Sequence, residues 1–210
     1  MKVLLINGSP REKGCTYTAL NEIVKTLNEE GVSSEIFHIG NKPIQGCTSC
    51  RKCMELGKCV FDDAVNEIAD KAKKFDGFII GSPVYYAAAN GALLAFLNRL
   101  FCSNSNGKNF AYKPGAAVVS ARRAGTTAAL EQINKYFSIS KMPIVSSQYW
   151  NMVHGSTPED VLKDLEGLQT MRVLARNMAW IIKCFESGKK SGVPMPKEEP
   201  IRERTGFLKA

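Results

Sequence analysis

Residues 2–16, KVLLINGSPREKGCT, decide the fold. Lys2 to Ile6 is an aliphatic run without polar alternation, the pattern of a strand buried on both faces of a parallel sheet. Asn7, Gly8, Ser9 and Pro10 break that strand, and Gly14, Cys15 and Thr16 lead into a helical pattern carried by Leu20, Ile23, Val24 and Leu27. A strand that turns tightly into a helix N-terminus presents unpaired amides and the positive end of the helix dipole, so an anion is held there. Ser9, Thr16 and the Arg11 guanidinium add donors, and a phosphate is the natural guest. Five residues separate Gly8 from Gly14 and Cys15 stands where a lysine belongs, so this is not a nucleoside-triphosphate P-loop; the G-x-G-x-x-G dinucleotide fingerprint fails as well.

Further strands are expected at Ser33 to Ile39, nearer an edge, at Phe75 to Gly81, ended by Pro83, at Ala116 to Ser120, and at Met142 to Ser146. Helices fall between them: from Ala64 to Lys74 behind Asp62 and Asp63 as caps, from about Asn90 through Leu100, and from Ala128 to Phe137. A last helix runs from the Thr157-Pro158 start to Glu186, with a break near Gly167. His38 lies in the second strand and receives no role. Cys102 to Lys113 reads as a polar connection. Five strands alternating with helices imply an α/β fold, a doubly wound five-stranded parallel sheet of order 2-1-3-4-5, with a ligand at the carboxyl ends of strands 1 and 3. Residues 1–188 form one domain in this reading and residues 189–210, rich in Pro and charge, an extended tail.

The chain has 210 residues, enough for a core that needs no staples. No run approaches the roughly 18 apolar residues of a membrane span, and Met1 leads directly into a strand, so a cytoplasmic protein with no membrane partner is expected. Seven cysteines, an odd number with four bunched together, point to thiol, metal or cluster chemistry rather than a disulfide framework. The net charge of +8 is spread along helices and tail, not striped with aromatics, which argues against nucleic acid and suits an anionic nucleotide.

The loops after strands one, three and four converge. The first holds phosphate; the second, Ser82-Pro83-Val84-Tyr85-Tyr86, offers a rigid Pro, amides and two rings; the third offers Arg122, Arg123 and Gly125. Together they describe a site for a flat heteroaromatic ring with a phosphate tail. These stretches resemble the NAD(P)H-dependent FMN reductase branch of the flavodoxin-like superfamily: GSPREKGCT its phosphate loop, SPVYYAAANGALLAFLNRL its flavin loop and helix, VVSARRAG its third flavin loop. The resemblance implies that Ser9, Arg11, Cys15 and Thr16, at the helix start marked by Gly14, hold the FMN phosphate. It implies further that Pro83, Val84, Tyr85 and Tyr86 line the isoalloxazine with Asn90 nearby, and that Ser120, Arg122 or Arg123, and Gly125 close the other edge. It also implies hydride transfer from NAD(P)H to flavin, then to a quinone, nitroaromatic or free flavin; no residue is assigned as general acid or base.

Cys47, Cys50, Cys53 and Cys59 lie within thirteen residues, in a stretch from Gly40 to Val60 without clear periodicity. That spacing resembles the compact motif of the iron–sulfur flavoproteins, which implies a 4Fe–4S cluster and a ferredoxin-like donor. A cysteine loop without metal, zinc, and a redox disulfide are the alternatives. A flavin site made of loops leaves the ring half exposed, and a homodimer or homotetramer is expected to cover it, using Trp150 and the tail.

Overall fold

The computed structural model describes residues 1–104, 108–199 and 206. The first strand, β1 (Lys2–Asn7), is interior to the sheet, flanked by β2 (Ser33–His38) and β3 (Gly77–Tyr85), all parallel. Beyond β3 come β5 (Gly115–Ala121) and β6 (Met152–His154), giving the order β2-β1-β3-β5-β6, while the two-residue β4 (Ala88–Ala89) pairs only with β3. The doubly wound parallel sheet is therefore present, with a short antiparallel hairpin added.

Alternate side chains of each strand enter opposite layers, which is why the central strands are apolar throughout. Leu4, Ile6, Phe78, Ile80, Ala117 and Val119 pack against α3 (Ala64–Lys71), α4 (Gly91–Ser103) and α5 (Thr126–Ile139). Val3, Leu5, Ile79, Ala116 and Val118 pack against α1 (Cys15–Glu29) and α7 (Leu165–Lys190). A one-turn helix, α2 (Cys53–Leu56), lies within the cysteine stretch, and α6 (Pro158–Lys163) precedes α7. Truncating Leu4 or Leu5, both fully buried, would cost about 3 kcal/mol.

Three expectations need correction. Pro83 does not end the third strand: it pairs in register with Ser120, and β3 runs on until Val84 and Tyr85 meet Ala89 and Ala88. A proline is tolerated there because β1 pairs with β3 only as far as Gly81, so β3 has a free side beyond that point. The last strand of the sheet is Met152–His154, not Met142 to Ser146, which touches β5 through a single bridge at Ile144. Pro143 has no N–H to continue that ladder, and Gln148, Tyr149 and Trp150 leave the edge before the chain returns. The expected break near Gly167 falls at Asp164, whose carboxylate accepts the Gly167 N–H at 2.9 Å and caps α7, just after the Thr157–Asp160 capping box has started α6.

Helix α7 ends at Lys190 and no regular structure follows to residue 199; of the expected tail, residues 200–205 and 207–210 lie outside the described residues, as do 105–107 of the polar connection. No helix among the described residues is long and apolar enough to cross a membrane.

Candidate functional site

The loop between β1 and α1 is held by its own short side chains. Asn7, fully buried, accepts the Ser9 N–H on Oδ1 at 3.1 Å and donates from Nδ2 to the Glu12 carbonyl at 2.9 Å; Ser9 Oγ in turn accepts the Arg11 N–H at 3.1 Å. His38, at the end of β2, donates from Nε2 to the Ser9 carbonyl at 2.7 Å. The Gly8 N–H reaches the Gly81 carbonyl at 2.8 Å, tying the loop to β3. A side chain at Gly81 would put its Cβ 2.8 Å from Thr16 Cγ2, so glycine lets the start of α1 sit directly on the sheet. No side chain among the described residues caps α1, and the amides of its first turn are open to an anion.

The end of β5 joins the same point through Thr16 Oγ1 and Ser120 Oγ, 2.8 Å apart. Above them the β3–β4 hairpin turns through Tyr86 and Ala87, at φ 49° and 60°. Two left-handed non-glycine residues in one turn are strained, and neighbouring contacts hold them. Gln132 Oε1 accepts the Ala89 N–H at 2.9 Å, and Gly125 fits under Ala87. Gly125 is itself left-handed, and a Cβ there would stand 2.6 Å from Ala87 Cα.

These loops wall a cavity of about 290 Å³. Ser9, Arg11, Gly14, Cys15, Thr16, Pro83, Val84, Tyr85, Ser120 and Arg122 line it, joined by Ala121, Gly155 and Ser156, which sequence reasoning did not single out. Tyr86 points wholly into solvent, Arg123 is exposed, and Asn90 is buried as the cap of α4, accepting from Ala92 at 2.7 Å and Leu93 at 3.2 Å. The lining combines hydroxyls and the Arg11 and Arg122 guanidiniums with apolar and backbone surface at Pro83, Val84 and Tyr85, a mixture that suits the phosphate and the ring of FMN. Cys15 is not an activated thiol: burial holds its pKa above the ordinary value, and its Sγ lies 3.7 Å from the Gly155 carbonyl.

A second, larger cavity of about 410 Å³ opens on the cysteine stretch. All seven cysteines are free, and Cys47, Cys50, Cys53 and Cys59 line this one space together with Cys102 of α4. Ser49 and Arg51, on either side of Cys50, are left-handed at φ 56° and 59°, so the backbone curls tightly around that residue. Arg99, 1% exposed, forms the floor; its Nε donates to Cys59 Sγ at 3.2 Å, and its terminal nitrogens grip Asp63 at 2.6 and 2.9 Å. Burial works against the guanidinium's charge, but the bonds to Asp63 and Cys59 prevail and hold its pKa above the usual value. Asn66 clasps the Cys59 backbone, accepting its N–H at 2.9 Å and donating to its carbonyl at 3.0 Å. The Cys102 thiol is pushed up to about 11, first by burial and then by Cys53 and Cys47. Ser103 Oγ, on the same wall, is buried with no partner among the described residues.

Arg99, Asn66, Cys102, His38 and Asn7 were not legible as site residues, since nothing in their spacing marks them. Asn7 alone carried a signal, as the first polar residue after a buried strand.

A doubly wound sheet whose β1, β3 and β5 loops meet over one cavity at the strand carboxyl ends defines a flavodoxin-like protein. Residues 1–157 match the family model of NADPH-dependent FMN reductase, and the chain belongs to that family of FMN-dependent oxidoreductases. It is 34% identical over 193 residues to an iron–sulfur flavoprotein of Methanocaldococcus jannaschii, covering 89% of this chain and 100% of that one. An iron–sulfur flavoprotein of Methanosarcina thermophila is 27% identical over 193 residues, covering 90% of this chain and 99% of the relative. Among solved structures, RosB with bound 8-demethyl-8-formylriboflavin-5′-phosphate superposes with a TM-score of 0.71 at 12% identity, covering 99% of this chain and 92% of that chain. An archaeal flavodoxin superposes at 0.59 and 15% identity, covering 87% and 99%. Both structural likenesses speak to the fold.

Proposed function

We propose that this chain is an FMN oxidoreductase of the iron–sulfur flavoprotein kind, taking electrons from a ferredoxin-like donor at a 4Fe–4S cluster and passing them through FMN to a small acceptor such as a quinone. Cys47, Cys50, Cys53 and Cys59 would supply the thiolates. One observation carries the reading: the four clustered cysteines line a single cavity and form no disulfide, in a chain whose other cavity suits a flavin phosphate. Among the described residues no group of three or more His, Cys, Asp or Glu side chains stands close enough to hold a single metal ion. A cubic cluster takes one thiolate per corner and needs the sulfurs spread around a void.

When bound, FMN exchanges electrons singly or in pairs and a cluster exchanges them singly; the chain's residues do the rest. The α1 amides, Ser9, Thr16 and Arg11 orient the phosphate. Pro83, Val84 and Tyr85 present apolar and backbone surface to the ring, and Ser120 and Arg122 close its edge. Self-association belongs to the same reading, because Tyr85, Tyr149 and Trp150 are about half exposed and a second copy would cover them in a homodimer or homotetramer. Size-exclusion of a flavin-loaded monomer would count against it.

The test is an anaerobic preparation assayed for flavin, iron and labile sulfide together. Flavin with equal iron and sulfide is expected, with Cys50→Ser losing iron but keeping flavin. Flavin without iron after anaerobic reconstitution would end the cluster reading. Direct reduction by NAD(P)H is the second reading, favoured by the exposed Arg122 and Arg123 beside the cavity, where dinucleotide phosphates would find partners. Prompt anaerobic bleaching by NADPH supports it; bleaching only by a reduced ferredoxin-like donor does not.

A further inference from the structure

We propose that Arg99 is the positioning residue of the cysteine cavity: it fastens both ends of the cysteine stretch to α4 and, through its N–H on Cys59 Sγ, sets the charge felt by the thiolates. The inference rests on the iron–sulfur reading above.

A guanidinium has five N–H donors, and here all five are used. Nε donates to Cys59 Sγ; one terminal nitrogen donates to Asp63 and to the Gln45 carbonyl at 3.3 Å, the other to Asp63 and to the Phe61 carbonyl at 3.0 Å. Gln45 precedes Cys47, and Phe61 and Asp63 follow Cys59, so one side chain holds the chain on both sides of the four thiols. The Phe61 ring lies 5.0 Å from the guanidinium carbon. A lysine ammonium has three donors and no planar fork, and it cannot reach this set of partners at once.

A merely structural arginine would need only Asp63 and the two carbonyls. Here the fifth donor is spent on a sulfur, and Asn66 keeps that sulfur in place by bonding both backbone groups of Cys59. Hydrogen bonds to ligating sulfurs and the net charge around them are what a protein uses to set a cluster's reduction potential. Arg99 brings a positive charge to the site and Asp63 partly cancels it, so removing one should act opposite to removing the other.

The experiment compares full-length wild type, Arg99→Gln, Arg99→Lys and Asp63→Asn, all prepared anaerobically with FMN. Iron and labile sulfide per flavin, the cluster midpoint potential, and hydrogen exchange of residues 45–61 in the iron-free chain are measured. The midpoint is expected to fall in Arg99→Gln and rise in Asp63→Asn, with Arg99→Lys nearer wild type. Exchange in 45–61 is expected to quicken at least tenfold in both Arg99 variants, with flavin content unchanged. If Arg99→Gln fails to fold, judged by lost flavin and lost cooperative melting, the upward shift in Asp63→Asn and the exchange of Arg99→Lys decide. Midpoints that do not move, or move the same way in Asp63→Asn and Arg99→Gln, overturn the proposal while leaving the cluster intact. A wild type that binds flavin but no iron overturns the cluster reading and this proposal with it.

Discussion

The two cavities of this protein are built by different means. The cavity proposed for flavin is made of strand ends and short polar side chains: Ser9, Thr16 and Ser120 line it, Asn7 of β1 holds Ser9, Ser120 of β5 meets Thr16, and Gly125 supports the hairpin above. The cysteine cavity is made of an irregular stretch with one turn of helix, fastened by two side chains from neighbouring helices, Arg99 and Asn66. A site carried by a sheet is preorganised by the fold itself, whereas a site on a loop depends on whatever pins the loop. Substitutions at the pocket should therefore weaken flavin binding and spare iron, and substitutions at the pins should lower iron and spare flavin affinity, whatever each costs in stability.

The largest effect is expected at the pins. Asp63→Ala leaves the buried Arg99 guanidinium without its carboxylate and removes the α3 cap, where Asp63 Oδ1 accepts the Val65 N–H at 3.0 Å. A loss of about 3 kcal/mol in urea unfolding is expected, the low end for a broken buried pair because Asp63 is partly exposed. Unchanged flavin affinity in the folded protein would uphold the separation of the two regions; weakened affinity would break it.

Gly125→Ala comes next. It imposes a left-handed residue and a Cβ 2.6 Å from Ala87 Cα, backbone that cannot swing aside. A loss of about 2 kcal/mol is expected, with FMN bound roughly tenfold more weakly by calorimetry and iron content untouched. Asn7→Ala strips a partner from the buried Ser9 N–H, and about 1.5 kcal/mol with several-fold weaker FMN binding should follow, since a buried donor is left unpaired.

The smallest effect sharpens the comparison from outside both regions. Glu35 on β2 has its carboxyl held below the ordinary range, chiefly by a hydrogen bond from Lys2 Nζ at 3.0 Å, with Lys71 adding to it. A carboxylate with a depressed folded pKa stabilises above its unfolded pKa of about 4.3, and loses that contribution as pH falls through the folded value. Because the carboxylate is 36% exposed and screened, Glu35→Gln should flatten the acid limb of stability by no more than about 0.5 kcal/mol, leaving flavin and iron content alone. Acid melts with and without 1 M salt check it.

The apolar run at Lys2 to Ile6 and its abrupt turn into α1 made the doubly wound sheet legible, because a strand with no polar alternation can only be buried on both faces. The cysteine spacing was equally legible as chemistry. The fifth strand was misplaced because Met142 to Ser146 has the composition of a strand, while Pro143 and the register against β5 hand the pairing to Met152–His154. The hairpin at Tyr86 and Ala87 was invisible, since local preference disfavours left-handed tyrosine and alanine, and the turn is held by distant residues, Gly125 beneath it and Gln132 on Ala89.

By itself, then, the order of residues determined the layers, the phosphate-type turn and the identity of the thiols, all of which follow from periodicity and short-range spacing. Only the tertiary structure decided that Arg99, forty residues beyond Cys59, stands under that sulfur with every donor engaged. Hydrogen-bond satisfaction of a buried charge is a property of the packed chain, and no local pattern encodes it.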